Sequence, residues 1–434
     1  MKKKSMQQIL VIAKQTFKEA VRNKVLFILI LFGLISICCS LFLPVVGGAG
    51  EKTKIVESVC LRSITFFGTL AAILLSASSI PTDLESKILS TITTKPISRP
   101  NLIFGKVIGF IYIIGLLLVI MGSASYALIK YTALRQDTQN IKGLLAREII
   151  ETTNLQITGE SAKNIGNVNW IEGGGKGAFS WDIKGLSYKE KPDQLEIETK
   201  FLVESNNRIA RKIPIKVKLV NPYAGKAKTE IIEVHNNKTA SLRFDSETAM
   251  GGDELNIVIS PENPGDFIGI SSGNVKVFFG KKTFEYNFLK GLAIIASQFV
   301  LMVVIATLGS TFLSLPVNIL FCLFIFFCGN IIDFMRDLST VINIFEAQEH
   351  EHGISDVIKK PNLFVLILNY VFKKPILVLS YILPNFKNFN VGYYFLENIN
   401  IPQKRVFTCF GYMFMYALFC LPASFMIFKR REIA

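Results

Sequence analysis

GLAIIASQFVLMVVIATLGSTFLSLPVNILFCLFIFFCGNII, residues 291–332, carries no charged side chain and is interrupted only by Gly309-Ser310 and Pro316. A hydrocarbon core about 30 Å thick takes roughly 20 apolar residues per helix, so this stretch predicts two membrane crossings joined by a tight turn. Four more charge-free runs occur, at 25–50, 63–82, 107–129 and 406–428. The pattern predicts an α-helical polytopic membrane protein with six spans, three before and three after a long polar insert.

The charge follows the same division. The chain of 434 residues has a formal net charge of +15, with 50% hydrophobic and 19% charged residues. Residues 131–288 hold 21 Lys/Arg against 20 Asp/Glu, so the excess sits beside the membrane. Nucleic-acid binding would need a basic patch on a soluble domain, and this composition argues against one. Residues 1–24 carry seven Lys/Arg and one acid; Lys87, Lys95, Arg99 and Lys106 follow in 83–106, and Lys429, Arg430 and Arg431 end the chain. Six spans put these three basic segments on one side, as the positive-inside rule requires. Both termini are then expected in the cytoplasm, with 131–288 and 333–405 outside the inner membrane. Lys373-Lys374-Pro375 interrupts a seventh apolar stretch, and 363–390 is expected to be interfacial or re-entrant.

Residues 8–23 read as an amphipathic helix. Ile9, Ile12, Ala13, Thr16, Phe17, Ala20 and Val21 share one face, and Lys14, Lys18 and Arg22 lie on the other. Basic residues opposite a Phe/Ile face predict a helix in the cytoplasmic headgroup layer. Residues 81–102 read as a short cytoplasmic helix started by Pro81 and stopped by Pro96 and Pro100, with Asp83 and Glu85 in the first turn where the helix dipole favours anions.

The insert is predicted to open with a helix over 139–153, followed by a Gly-rich loop holding Trp170 and Trp181. From Leu195 the period becomes two. Leu195/Ile197/Thr199/Phe201 and Ile213/Ile215/Val217/Leu219 alternate with polar residues, shorter strands follow at 230–234, 241–244 and 255–259, and a final hairpin is expected through 275–279 and 284–288. This predicts a mainly-β domain of sandwich or jelly-roll type.

Little of the chain looks chemical. Gly173-Gly174-Gly175-Lys176-Gly177 lacks the spacing of a phosphate-binding loop. Glu349-His350-Glu351-His352 has ligand-like composition but no third His or Cys nearby, so no metal site is assigned. The seven cysteines fall in or beside predicted spans and read as small apolar packing residues. No catalytic set and no cofactor site is expected, and the near absence of ionisable residues within the runs argues against an ion-coupled carrier.

The membrane halves resemble one family, the six-span exporter-type permease subunits of ATP-binding-cassette transporters. The resemblance lies in AKQTFKEAVRNK (13–24), in DLESK (83–87) with TKPISR (94–99) and FGK (104–106), in GSTFLSLP (309–316), and in LPNFKNFN (383–390) with the closing FKRRE (428–432). It does not extend to 131–288. The resemblance implies a separate ATPase dimer that docks on the cytoplasmic side, and a second permease copy or homologue. It implies coupling through Asp83, Glu85, Lys87, Lys95 and Arg99, and movement relayed through the entry helix. Two functions follow. One is export of an apolar or amphipathic substrate; the other is a mechanical or sensory role in which the outer domain works on an envelope partner and nothing crosses.

Overall fold

The structure is a computed structural model. It describes residues 2–44, 49–85, 99–136, 144–150, 152–159, 163–165, 168–184, 194–205, 208–209, 212–221, 225–245, 254–271, 275–332, 378 and 380–430. The chain divides into a helical unit (Met1–Asn140, Phe288–Glu397 and Ile401–Ala434) and a β unit (Ile141–Asn287 with Asn398–Asn400).

The helical unit contains α1 (Lys2–Arg22), α2 (Lys24–Cys39), α3 (Ala49–Glu85), α4 (Arg99–Gln136), α5 (Phe284–Ser310), α6 (Leu315–Asn330), the short α7 (Gly392–Leu396) and α8 (Gln403–Arg430). Among the described residues, five helices are long and apolar enough to cross a membrane: α2 with its 3-10 extension to Phe42, then α3, α4, α5 and α8. The chain thus has the character of a membrane protein. The sixth apolar helix, α6, has 16 residues, about 24 Å at 1.5 Å per residue, which is less than a hydrocarbon core. Pro316 in its first turn suits a helix start, because the missing N–H there has no intrahelical acceptor. Apolar side chains cover the outside of α8, where Phe407, Phe414, Leu418 and Phe419 are exposed, as expected of a surface that faces lipid.

Two expectations about helix boundaries fail. Pro81 does not start a helix; it lies inside α3, four turns beyond the middle of an apolar segment that tertiary contacts hold together. The predicted hairpin return over 284–288 is the first turn of α5. Phe284 and Phe288 are buried and Tyr286 between them is exposed, which is i, i+4 spacing rather than alternation.

The β unit is antiparallel within its sheets. One sheet has the order β1-β14-β6-β11, the second β10-β9-β12-β5-β2, and the third β3-β4-β13-β7-β8. Their ranges are β1 Ala146–Ile150, β2 Thr152–Gly159, β3 Lys163–Ile165, β4 Val168–Glu172, β5 Gly177–Lys184, β6 Gln194–Lys200, β7 Leu202–Ser205, β8 Arg208–Ile209, β9 Lys212–Asn221, β10 Lys226–His235, β11 Thr239–Asp245, β12 Glu254–Pro261, β13 Asp266–Ser271 and β14 Lys276–Lys282. The period-two reading holds in β6 and β9, whose Leu195, Ile197, Ile213, Ile215, Val217 and Leu219 enter one core with Phe179, Trp181, Ile257 and Ile268. The helix expected over 139–153 is not formed in its described part. Residues 146–150 and 152–159 are strands, because β14 and β5 supply them with ladder partners. The two tryptophans sit in β4 and β5 rather than in a loop, and the Gly-rich stretch between them is a turn with Gly174 and Gly175 at φ +69° and +84°.

Arg147 of β1 organises one edge of this unit. Its guanidinium lies 3.1 Å from Glu196, bonds Glu198 as well, and stacks 4.0 Å above the Phe278 ring. Its backbone N–H donates to the Asn398 carbonyl (2.7 Å) and its carbonyl accepts from Asn400 N–H (2.8 Å). Residues 398–400 thereby form a short parallel bridge on the β1 edge. Burial works against the Arg147 charge, but the hydrogen bonds and charges of Glu198 and Glu196 hold its pKa above the ordinary arginine value. Burial would likewise raise Glu196, yet the hydrogen bonds from Arg147 and Ser241 and the Arg147 charge keep it below the usual carboxylate range.

Candidate functional site

The entry helix α1 forms as expected, but its apolar face is not free for lipid. Ile12, Ala13, Thr16 and Ala20 are buried, and α1 lies along α4. Gly105 and Gly109, four residues apart on α4, allow the close approach. A Cβ on Gly105 would stand 2.7 Å from Ile12 Cβ, and one on Gly109 would stand 2.7 Å from Thr16 Cβ and 2.8 Å from the Ala13 carbonyl. Small residues at this spacing let two helix backbones meet where the hydrophobic effect gives no drive. The headgroup-layer expectation is corrected to this extent: the face assigned to lipid packs on the protein. A second apolar strip, Met6, Leu10 and Val21, stays exposed between that packed face and the basic strip of Lys14, Lys18 and Arg22. An exposed apolar strip flanked by bases still suits a helix held at headgroup depth.

Of the 81–102 segment only the two ends are described. Asp83 and Glu85 are in the last turn of α3 and Arg99 is the first residue of α4, while Lys87 and Lys95 lie outside the described residues. The start of α4 is tied to α1 by a chain of side-chain bonds that sequence reasoning missed. Ser5 Oγ donates to Asn101 Oδ1 (3.0 Å), and Asn101 Nδ2 donates to Gln8 Oε1 (2.9 Å). Beneath them Ile12 of α1, Ile80 of α3, Leu102 and Ile103 of α4 and Phe428 of α8 form one apolar cluster. The middle of α1, the last part of α3, the start of α4 and the end of α8 therefore meet in one cluster.

The interior of this unit is more polar than the charge-free runs predict. Glu57 on α3 is 2% exposed and its Oε1 lacks a hydrogen-bond partner among the described residues. Lys106 is buried and donates to the Ser79 carbonyl (3.0 Å), and Lys290 is buried and donates to the Ile401 carbonyl (2.8 Å). All three groups stand outside the charge-free runs, Lys106 and Lys290 directly beside their ends, so the runs themselves stay free of ionisable side chains. Scanning for uncharged runs stops at the last charge, whereas α3 begins at Ala49 and carries Glu57 and Arg62 within it.

Pro81 provides a second polar device. Proline has no N–H, so the Ala77 carbonyl one turn earlier loses its helical donor. Asn318 of α6 replaces it: Nδ2 donates to Ala77 O (3.2 Å) and to Ala306 O of α5 (3.0 Å), with the side chain fully buried. Gly309 leaves room for this amide, since a Cβ there would lie 2.1 Å from Asn318 Oδ1. Gln298 of α5 adds a bond to Thr69 of α3 (3.2 Å).

The 349–352 cluster and most of 363–390 lie outside the described residues, and no group of three or more metal-ligating side chains occurs among the described ones. Gly173–Gly177 joins two strands, whereas a phosphate loop joins a strand to a helix.

No family model matches the chain, and no curated protein matches it. Among solved structures, a structure titled "CBM4 structure and function" has 11% identity and a TM-score of 0.21, covering 29% of this chain and 78% of its own. A TmCBM61 structure in complex with beta-1,4-galactotriose has 15% identity and a TM-score of 0.18 over 30% of this chain and 91% of its own. A carbohydrate binding module of family 29 has 16% identity and a TM-score of 0.21 over 31% of this chain and 90% of its own. Similarity at these TM-scores carries no argument about fold or ligand.

Proposed function

We propose that the chain is the membrane-spanning permease subunit of an ATP-binding-cassette transporter, driven by a separate ATPase dimer and exporting an apolar or amphipathic substrate. The observation that carries this reading is the meeting of α1, α3, α4 and α8 in one cluster. The apolar cluster of Ile12, Ile80, Leu102, Ile103 and Phe428 joins the entry helix, the two flanks of the 81–102 loop and the end of α8. A soluble motor docking there would engage the loop and α1 together, and movement would pass directly into α3 and α4. In this reading α2, α3, α4, α5, α6 and α8 are the six crossings, and α6 spans by local thinning of the bilayer. Both termini are cytoplasmic and the β unit is extracytoplasmic.

Labelling checks this placement. Lys238 is exposed in the turn between β10 and β11. Lys238→Cys is expected to react with a membrane-impermeant thiol reagent on intact cells, and a cysteine placed in the 429–434 tail is expected to be protected. The reverse pattern contradicts the orientation. Purified alone, the chain is expected neither to bind nor to hydrolyse ATP specifically; saturable hydrolysis that tracks the pure polypeptide contradicts the division of labour.

A further inference from the structure

A cavity of about 240 Å³ lies within the helical unit between α3, α5, α6 and the 386–392 stretch. Its walls differ in chemistry. Phe66, Phe326 and Phe386 supply an aromatic side, with the last two rings 5.4 Å apart between centroids. Arg62, Gln298 and Asn330 supply the polar side. Gln298 and Asn330 each spend one amide N–H, on Thr69 Oγ1 and on the Phe326 carbonyl, and each amide has hydrogen-bonding capacity beyond that bond. Arg62 makes no ion pair and no hydrogen bond among the described residues, although it lies inside a helix long and apolar enough to cross a membrane. Its side chain is exposed and stands immediately before the charge-free run 63–82, so the guanidinium lies at the edge of the apolar segment, open to an anion at that depth. Phe66, one turn along α3, is half exposed and stands beside it.

We propose that this cavity binds the head of an anionic amphiphile. A phosphate or carboxylate seats on Arg62, the amides of Gln298 and Asn330 complete its hydrogen bonds, and the first carbons of the apolar chain lie on the phenylalanines. The volume fits a head and a few methylenes, so the remainder of the chain leaves past Phe66 into lipid. Arginine suits this task because its planar fork matches both oxyanions and keeps its charge at any working pH. The inference deepens the proposed function by naming the chemical class of its cargo, and it rests on that reading only for the membrane placement of α3. It needs no ATPase.

The test is binding to the full-length chain purified in dodecyl maltoside without any partner. Dodecyl phosphate is titrated and followed by native mass spectrometry, with dodecyl phosphocholine and inorganic phosphate as comparisons. The proposal expects saturable binding of dodecyl phosphate, at least tenfold tighter than either comparison. Arg62→Gln should weaken it at least tenfold, as loss of a charged hydrogen-bonding partner does, and Arg62→Lys should weaken it less. Asn330→Asp sets a like charge beside the anion and should also weaken it tenfold; it keeps the test decisive if Arg62→Gln fails to assemble. Unsaturable binding, equal affinity in both Arg62→Gln and Asn330→Asp, or inorganic phosphate binding as tightly as dodecyl phosphate overturns the proposal, the last by assigning the site to a soluble anion. Failure of the Lys238 labelling test would instead strike the placement and leave this binding result standing.

Discussion

Asn318→Leu is expected to destabilise the helical unit by about 2 kcal/mol, the cost of leaving a carbonyl unpaired in a water-poor interior. Interhelical hydrogen bonds in membranes average only about 0.6 kcal/mol, because partners are found elsewhere when one is lost. The Ala77 carbonyl is a different case, since Pro81 cannot supply the usual helical donor. A double-mutant cycle isolates this point. Pro81→Ala restores an N–H for Ala77 O, so Asn318→Leu in that background should cost no more than about half as much. Reversible unfolding in mixed detergent micelles reads both values. Equal costs in the two backgrounds would show that Asn318 acts through packing and not through the freed carbonyl.

Arg147→Met is expected to cost the β unit about 2 kcal/mol near neutral pH. It leaves Glu196 and Glu198 on one strand face without their shared cation, and breaking a partly buried pair costs more than the pair contributes. Met keeps apolar contact with Phe278, so the loss reports charge. The pH dependence has a definite sign. The pKa of Glu196 is lowered in the folded chain, so its stabilisation is present above the unfolded carboxylate pKa and is lost as pH falls through the folded value. Native chain should therefore lose stability on acidification faster than Arg147→Met, and the gap between them should close toward acid. Amide hydrogen exchange in β1, β6 and β14 of the full chain measures it locally. A gap that stays constant from neutral to acid pH would remove the electrostatic explanation.

Sequence reading recovered the parts of this protein where one period dominates. Residues 291–332 could only be buried in apolar surroundings, and they form α5 and α6. In β9 the alternation of Ile213, Ile215, Val217 and Leu219 is unambiguous, and all four are in the core. Where two periods fit, tertiary partners decided. Leu144, Leu145, Ile149 and Ile150 also suit a helix, but the ladder from Ile149 to Phe278 makes the segment a strand. Phe284, Tyr286 and Phe288 read equally as alternation until the apolar run that follows carries the helix back through them.

The candidate site was legible in its charges and not in its contacts. Lys14, Lys18 and Arg22 stand out in the sequence as the basic strip of α1, yet nothing local indicates that Gly105 and Gly109 receive its apolar face. Asn318 could have been noticed as a polar residue in an apolar helix, but its purpose depends on a proline more than two hundred residues earlier in the chain. Arg62 was lost because the charge-free run begins at the very next residue, Ser63.

In the proposed mode of action a separate ATPase drives this chain through the 81–102 loop and α1. The most direct measurement is purification of the chain from its own membrane with its associated proteins, followed by ATP hydrolysis for native chain and for Glu85→Lys. Charged residues on a short loop suit a transient, electrostatically matched interface, so one reversal should weaken it. A co-purifying ATP-binding-cassette subunit is expected, with hydrolysis that falls severalfold with Glu85→Lys while the variant still reaches the membrane at the native level. Purification without any ATPase, or a Glu85→Lys variant that inserts normally and couples as well as the native chain, would contradict it.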